Sequence, residues 1–268
     1  MNILFSCKNI TKNYNNEPVV RDISLELPAG GFISLVGPSG VGKTTLFNVL
    51  AGVDKPDGGS VFLNGEDITG INGKINYMLQ KDLLLEYRTV IDNVILPLLI
   101  RGEKKKPARE YAAGFFRMFG LEGYENKYPN ELSGGMRQRA ALLRTCLYSS
   151  LSQHKSGQKE ISHNAVILLD EPFSALDAIT RRKMQTWYAE IAQQLKISTL
   201  FITHDVEEAL LLSDTVYIMN EKPGVITHKI DVKPCRCEFP HRTRTVDFTV
   251  SGEFAQQKRM ILEAIGVN

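Results

Sequence analysis

"GPSGVGKT", Gly37 to Thr44, lies between the apolar run "FISLV" (Phe32 to Val36) and a helix-compatible stretch that begins "TLFNVL". The spacing G-x-x-x-x-G-K-T in a strand, loop, helix context is the pattern of a loop that wraps phosphate. Gly37, Gly40 and Gly42 let the backbone turn tightly, with Pro38, Ser39 and Val41 between them, so that N–H groups point inward at the start of a helix. Lys43 is placed to neutralise terminal phosphates, and the Thr44 hydroxyl, followed by Thr45, to ligate Mg²⁺.

Working outward, "VILLD" ends an apolar strand on Asp170, with Glu171 next in the chain. A hard cation such as Mg²⁺ takes oxygen ligands, which suits Asp170. Glu171 at the same strand tip then becomes the candidate base for an attacking water. "ILFSCKNI", "VVRDISLEL", "GSVFLNG", "KINYMLQ", "STLFIT" and "DTVYIMN" read as further strands, and the stretch from Ala178 to Leu195 as a helix. This alternation predicts an α/β fold with a parallel core.

Between Thr89 and about Tyr148 the period changes. Ala108, Ala112, Phe115, Phe116 and Phe119 fall on one helical face, and "GGMRQRAALLRTCLY" supplies another helix, so a helical lobe is expected over about 89–150. Residues 149–164 read as a polar surface loop, and "RGEKKK" (Arg101 to Lys106) as a solvated turn. Beyond Pro223-Gly224, "VITHKIDV" and "VDFTV" are expected as edge strands and "EFAQQKRMILEAI" as a terminal helix. The domain reading is therefore a main body over 1–225 and a C-terminal extension over 226–268, packed on or following it.

Composition narrows the function classes. The 268 residues carry 32 basic and 30 acidic side chains, a formal charge of +2, which gives no pull toward nucleic acid. The longest greasy run noted, "VILPLLI", is far short of the roughly 20 residues of a spanning helix, so a cytoplasmic chain is expected. Cys7 and Cys146 are isolated, and Cys235 and Cys237 form a lone C-x-C, which reads as reduced thiols.

"LSGGMRQR", Leu132 to Arg139, is a second glycine pair far from the first loop. Together with Tyr14, "GPSGVGKTT", "YMLQ", "VILLDEP", "SALD" and "FITHD", in that chain order but for its own place before "VILLDEP", it resembles the nucleotide-binding subunit of an ABC transporter over about Leu4 to Asn220. The wording "RTVIDNV" and "FITHDVEEAL" is similar to the branch serving nitrate, sulfonate, taurine and thiamine-precursor importers. The resemblance implies a P-loop NTPase with an ABC-type helical subdomain and an antiparallel β subdomain, and ATP with Mg²⁺ as cofactors. It implies that Tyr14 stacks on adenine, that Gln80 senses Mg²⁺ and the attacking water, and that His204 contacts the γ-phosphate. It further implies that Ser133, Gly134 and Gly135 clamp the nucleotide of a second copy, with Asp177 crossing the interface. Integral-membrane permease subunits, and through them an extracytoplasmic solute-binding protein, are the implied partners, and the cytoplasmic face of the membrane is the implied location.

Two departures from the family pattern stand out: Gly31 where an acidic residue is frequent, and Glu86-Tyr87 where Pro-Trp is frequent. The segment Gln80 to Ile100, with Leu83, Leu84, Leu85 and Tyr87, is expected to form a docking seat for a permease helix. An ABC exporter or lipoprotein machine remains the rival reading. A DNA-maintenance ATPase would need a heptad-rich insertion between Gln80 and Leu132, and none is present.

Overall fold

The computed structural model describes residues 2–149, 165–233 and 246–266. Strands β1 (Ile3–Tyr14) and β2 (Glu17–Pro28) form an antiparallel pair, followed by β3 (Phe32–Val36) and helix α1 (Lys43–Leu50). Next come β4 (Gly58–Leu63), β5 (Glu66–Asp67) and β6 (Asn76–Met78). The helical lobe holds α2 (Val90–Val94), α3 (Leu96–Ile100), α4 (Lys105–Phe116) and α5 (Gly134–Ser149). The chain returns through β7 (Val166–Asp170), α6 (Ala178–Gln194), β8 (Ser198–Thr203), α7 (Val206–Leu212), β9 (Thr215–Asn220) and β10 (Val225–Asp231). It finishes with α8 (Val246–Thr249) and α9 (Gly252–Ile265).

Two sheets result. One is antiparallel, in the order β2-β1-β4-β5; the other runs β10-β9-β3-β8-β7-β6, parallel except for β10 on β9. The central strands β3, β7 and β8 are buried at every position, which explains their near-continuous apolar runs. Alternate residues serve opposite faces: Ile33, Leu35, Leu168 and Leu200 enter the core beneath the antiparallel sheet and α1, while Phe32, Val36, Ile167 and Phe201 enter the core on the helical side.

The helical lobe docks on that second core. Ala108, Ala112, Phe116 and Phe119 are all buried, as the period requires, with Phe115 half-buried. Phe119 meets Trp187 of α6 edge-on at 5.5 Å, and the Arg139 guanidinium lies 4.9 Å from the same indole. Cys7 and Cys146 are buried thiols whose pKa values burial pushes up to about 12, so both act as small core hydrophobes.

Two expectations change. "VDFTV" is not an edge strand: Val246–Thr249 is helical, and Phe248 packs edge-on against Phe254 of α9 at 5.3 Å. Five alternating residues carry too little period to outweigh that helix packing and the Ser251 cap, whose hydroxyl accepts from the Phe254 N–H at 3.1 Å. Leu84 is a core residue with 6% exposure, while Leu83 and Tyr87 stand out at 51% and 75%. Strand β10 begins at Val225, and its residues to Asp231 pair with β9 or lie between pairs. The expected surface loop 149–164 from residue 150 on, the Cys235/Cys237 pair and "RCEFPHR" lie outside the described residues.

Candidate functional site

Four adjacent parallel strands end together. Val36 of β3 is level with Thr203 of β8, Asp170 of β7 with Ile202, and Met78 of β6 with Leu169. Gly37, His204 and Glu171 directly follow three of these ends and Gln80 lies two residues past the fourth, so four distant stretches open on one crevice at the carboxyl edge of the sheet.

The loop after β3 is shaped by its glycines in two ways. Gly40 and Gly42 have φ of 77° and 103°, left-handed values that favour glycine, and Gly42 is the N-cap of α1. Gly37 serves close approach instead: a Cβ there would collide with the Met219 carbonyl of β9. Val41 is buried and anchors the loop, whereas Pro38, Ser39 and Gly40 form its exposed rim. Lys43 is 8% exposed, and its ammonium donates to the carbonyls of Gly37 and Pro38, at 2.8 Å each. An ammonium has three donors, so one remains for a ligand in the loop. Burial lowers the Lys43 pKa, while the neighbouring Glu171 and Asp170 carboxylates oppose that shift.

Thr44 Oγ1 donates to Asp170 Oδ2 at 3.1 Å, and the Tyr77 hydroxyl lies 3.5 Å from the same oxygen. Burial raises the Asp170 pKa against the pull of the Thr44 hydrogen bond. A hydroxyl and a carboxylate converging beside a phosphate loop are hard oxygen donors that fit Mg²⁺, a cation that takes one or two protein ligands and completes its shell with phosphate and water. Glu171 has φ 46°, an uncommon value for a side chain of this size. Its carboxylate is held from both sides, by Gln80 Nε2 at 3.0 Å and His204 Nδ1 at 3.1 Å. Gln80 thus spends its amide nitrogen on Glu171, leaving Oε1 as the atom able to ligate.

Lys43, Thr44, Asp170, Glu171, Gln80 and His204 therefore make one linked cluster. Tyr14 stands at the end of β1, 42% exposed, its hydroxyl donating to Asp54 Oδ2 at 2.7 Å and its ring 5.3 Å from the Lys12 ammonium. The hydrogen bond to Asp54 raises the Tyr14 pKa. Thr45 is half-buried on the first turn of α1.

A second group gathers at the start of α5 and α6. The Ser133 hydroxyl accepts from Met136 N–H at 3.4 Å, and Ser133 and Gly134 are exposed. A Cβ on Gly134 or Gly135 would touch Leu176 and Thr180, so the glycine pair lies beside the "SALD" turn. Asp177 caps α6, accepting from Ile179 and Thr180 N–H at 3.1 and 3.0 Å. Gln138 donates to the Pro172 carbonyl, joining α5 to the residue after Glu171.

Several contacts escape a reading by motif: Asp54 under Tyr14, Tyr77 beside Asp170, and Arg181, which donates to the Phe173 and Leu176 carbonyls at 3.3 and 2.9 Å. Only the aspartate cap of α7, Asp205 before "VEEALLL", had a local sequence signal.

Comparison with known proteins agrees with this geometry. The ABC transporter family model matches residues 20–151. The chain is 41% identical over 209 residues to the formylaminopyrimidine import ATP-binding protein ThiZ of Halalkalibacterium halodurans, covering 78% of this chain and 76% of that protein. It is 37% identical over 271 residues to the uncharacterized ABC transporter ATP-binding protein MJ0412 of Methanocaldococcus jannaschii, covering 99% and 92%. Among solved structures, the dimeric structure of MJ0796, a bacterial ABC transporter cassette, matches at TM-score 0.68 and 26% identity over 86% of this chain and 99% of that one. The phosphate loop, the strand-end carboxylates and these similarities together establish that the chain belongs to the ABC transporter family as an ATP-binding, ATP-hydrolysing subunit.

Proposed function

We propose that this chain powers solute uptake through a binding-protein-dependent ABC importer, with a thiamine-precursor or nitrate/sulfonate/taurine-like solute as cargo. The observation that carries the mechanism is the Glu171 carboxylate held between Gln80 and His204, beside Lys43 and Asp170. Glu171 orients the attacking water and takes its proton, His204 and Gln80 fix the carboxylate and meet the γ-phosphate, and Lys43 offers its remaining N–H to the β- and γ-phosphates. Thr44 and Asp170 would hold Mg²⁺, which supplies charge neutralisation on the phosphate oxygens. Tyr14, fixed by Asp54, stacks on adenine.

Two copies pair so that Ser133, Gly134 and Gly135 of one cover the ATP held by Gly37–Thr45 of the other, with Asp177 at the junction. The dimeric MJ0796 relative supports this assembly. ATP then favours the closed pair through contacts that ADP lacks, and hydrolysis releases it. The division of labour is an ATPase body over 1–225 with a helical subdomain at about 89–150, and an extension over 226–268 that reaches α7 through the Lys258–Glu207 ion pair at 2.6 Å.

Permease docking is read onto a groove of ≈ 330 Å³ beside Gln80, lined by Val53, Leu79, Lys81, Leu83, Pro97 and Arg144 among others. No helix among the described residues is long and apolar enough to cross a membrane, so attachment to the cytoplasmic face of the membrane would run through this groove. The import name of the 41% identical ThiZ relative makes formylaminopyrimidine the first solute to assay. The test is ATP-dependent uptake into vesicles carrying the chain with its permease and binding protein. Accumulation of formylaminopyrimidine or a sulfonate, abolished by Glu171→Gln, is expected; ATP-dependent efflux would replace this reading with the exporter one.

A further inference from the structure

The segment that follows Gln80 is fastened to α5 at two points. Arg137 Nε and Nη2 bond the two oxygens of Asp82 at 2.9 and 3.3 Å; Nη2 also reaches Glu86 at 2.8 Å, and Nη1 the Pro129 carbonyl at 3.3 Å. Every guanidinium nitrogen is in use, and the fork on Asp82 is bidentate, the geometry that gives an Arg–carboxylate pair directional strength. Seven residues on, two turns along the same face of α5, Arg144 donates to the carbonyls of Asp82 and Leu83. Leu83 is left with φ 48°, which a leucine keeps only where its surroundings impose it.

The two ends of this fastening are functional. Gln80, two residues before Asp82, bonds Glu171. Arg137 sits in the first turn of α5, its backbone N–H donating to the Ser133 carbonyl at 2.9 Å. Burial works against ionisation of Asp82, yet the bonds from Arg137 and the Leu84 N–H keep its pKa below the usual value. The Asp82 bond raises that of Arg137 in turn. The pair is partly shielded, with side-chain exposures of 27% for Arg137 and 21% for Asp82.

We propose that Asp82 and Arg137 are a positioning pair for the hydrolytic cycle: their bidentate bond sets the angle at which α5 presents Ser133–Gly135 to the nucleotide of a second copy, and ties that angle to Gln80. Glu86, the residue where the family pattern departs, extends the same tie. Without it, α5 still packs through its buried face, since Ala140, Ala141, Leu142 and Leu143 are fully buried, but its first turn is no longer registered against the Gln80 segment. Nucleotide held by Lys43 within one chain is unaffected; closure on the second chain is weakened.

This rests on Ser133–Gly135 acting as a clamp across a dimer, and the experiment separates the two ideas. In a Glu171→Gln background, the ATP-dependent dimerisation constant is measured by analytical ultracentrifugation, and MgATP affinity of the dilute monomer with a fluorescent analogue. Asp82→Asn and Arg137→Gln are each expected to weaken dimerisation by about tenfold, with monomer affinity and circular dichroism unchanged, and the double variant to be no weaker than either single. A merely structural pair would lower the melting temperature and leave the dimerisation constant of the folded chain alone. Normal dimerisation by Asp82→Asn, or additive losses in the double variant, alongside a Ser133→Ala that fails to dimerise, would overturn the pair alone. A Ser133→Ala chain that dimerises normally, or a parent that stays monomeric with ATP, would overturn the clamp and the pair together.

Discussion

Gln80 and Glu171, 91 residues apart in the chain, meet through a 3.0 Å hydrogen bond from Nε2 to Oε2. The bond exists because β6 and β7 are neighbours in parallel register, so their following residues open on the same crevice. A glutamine at 171 keeps the shape and a hydrogen-bonding side chain but cannot take a proton. Glu171→Gln is therefore expected to bind MgATP with its affinity intact and to hydrolyse it about 10² to 10⁴ times more slowly. Single-turnover phosphate release, compared with equilibrium binding, checks this. Hydrolysis within a few-fold of the parent would show that another group acts as base.

The Lys43 charge is buried and bonded back to the loop, through the carbonyls of Gly37 and Pro38. Lys43→Ala removes the charge and frees two carbonyls. A loss of about 2 kcal/mol or more in MgATP binding is expected, the scale of hydrogen bonds to charged groups. Titration calorimetry would detect it, and an unchanged affinity would remove Lys43 from the phosphate site.

The parallel core was readable from the sequence because strands buried on both faces need apolar residues at both parities, which makes runs such as "FISLV" and "VILLD" conspicuous. The site residues that follow those strands were readable for the same reason: a strand end fixes where the next side chain can go. Tertiary partners were not. Asp82 and Arg137 are 55 residues apart, and nothing local links an aspartate after Gln80 to an arginine after a glycine pair. "LLL" at Leu83 to Leu85 has no internal contrast from which to tell the buried residue, and the left-handed turn at Leu83 breaks the alternation that would otherwise assign it. "VDFTV" misleads by the opposite route, since a period of two over five residues arises by chance in a helix as short as Val246–Thr249.

That distinction among the leucines yields opposed outcomes in one short segment. Leu84→Asp places a charge in the core that holds Val90 and Leu142, and is expected to destabilise the chain by more than about 3 kcal/mol. Tyr87→Ala and Leu83→Ser alter exposed side chains and are expected to leave the urea midpoint within error while reducing permease-stimulated ATPase activity. Chemical denaturation measured beside stimulated hydrolysis separates the cases. Full stimulation of both exposed variants would remove this segment from the docking surface.

Glu208 on α7 is 5% exposed, accepts from Gln185 Nε2 at 2.8 Å, and has Asp205 and Arg181 as its charged neighbours. Burial raises its pKa, and the Asp205 charge adds to the rise, while hydrogen bonds from Thr203 and Gln185 and the Arg181 charge oppose it. The folded chain therefore holds the Glu208 proton more tightly than the unfolded chain does. The stability this confers is fully present below the ordinary glutamate pKa and is lost as pH rises through the higher folded value. Glu208→Gln keeps an acceptor for Gln185 and removes the titration. The stability of the parent relative to this variant should accordingly decline as pH rises above the ordinary glutamate pKa. Urea midpoints at several pH values measure the difference. A gap between the two proteins that stays constant, or that widens in favour of the parent as pH rises, would mean that Glu208 is ionised in the folded chain and that its neighbours outweigh its burial.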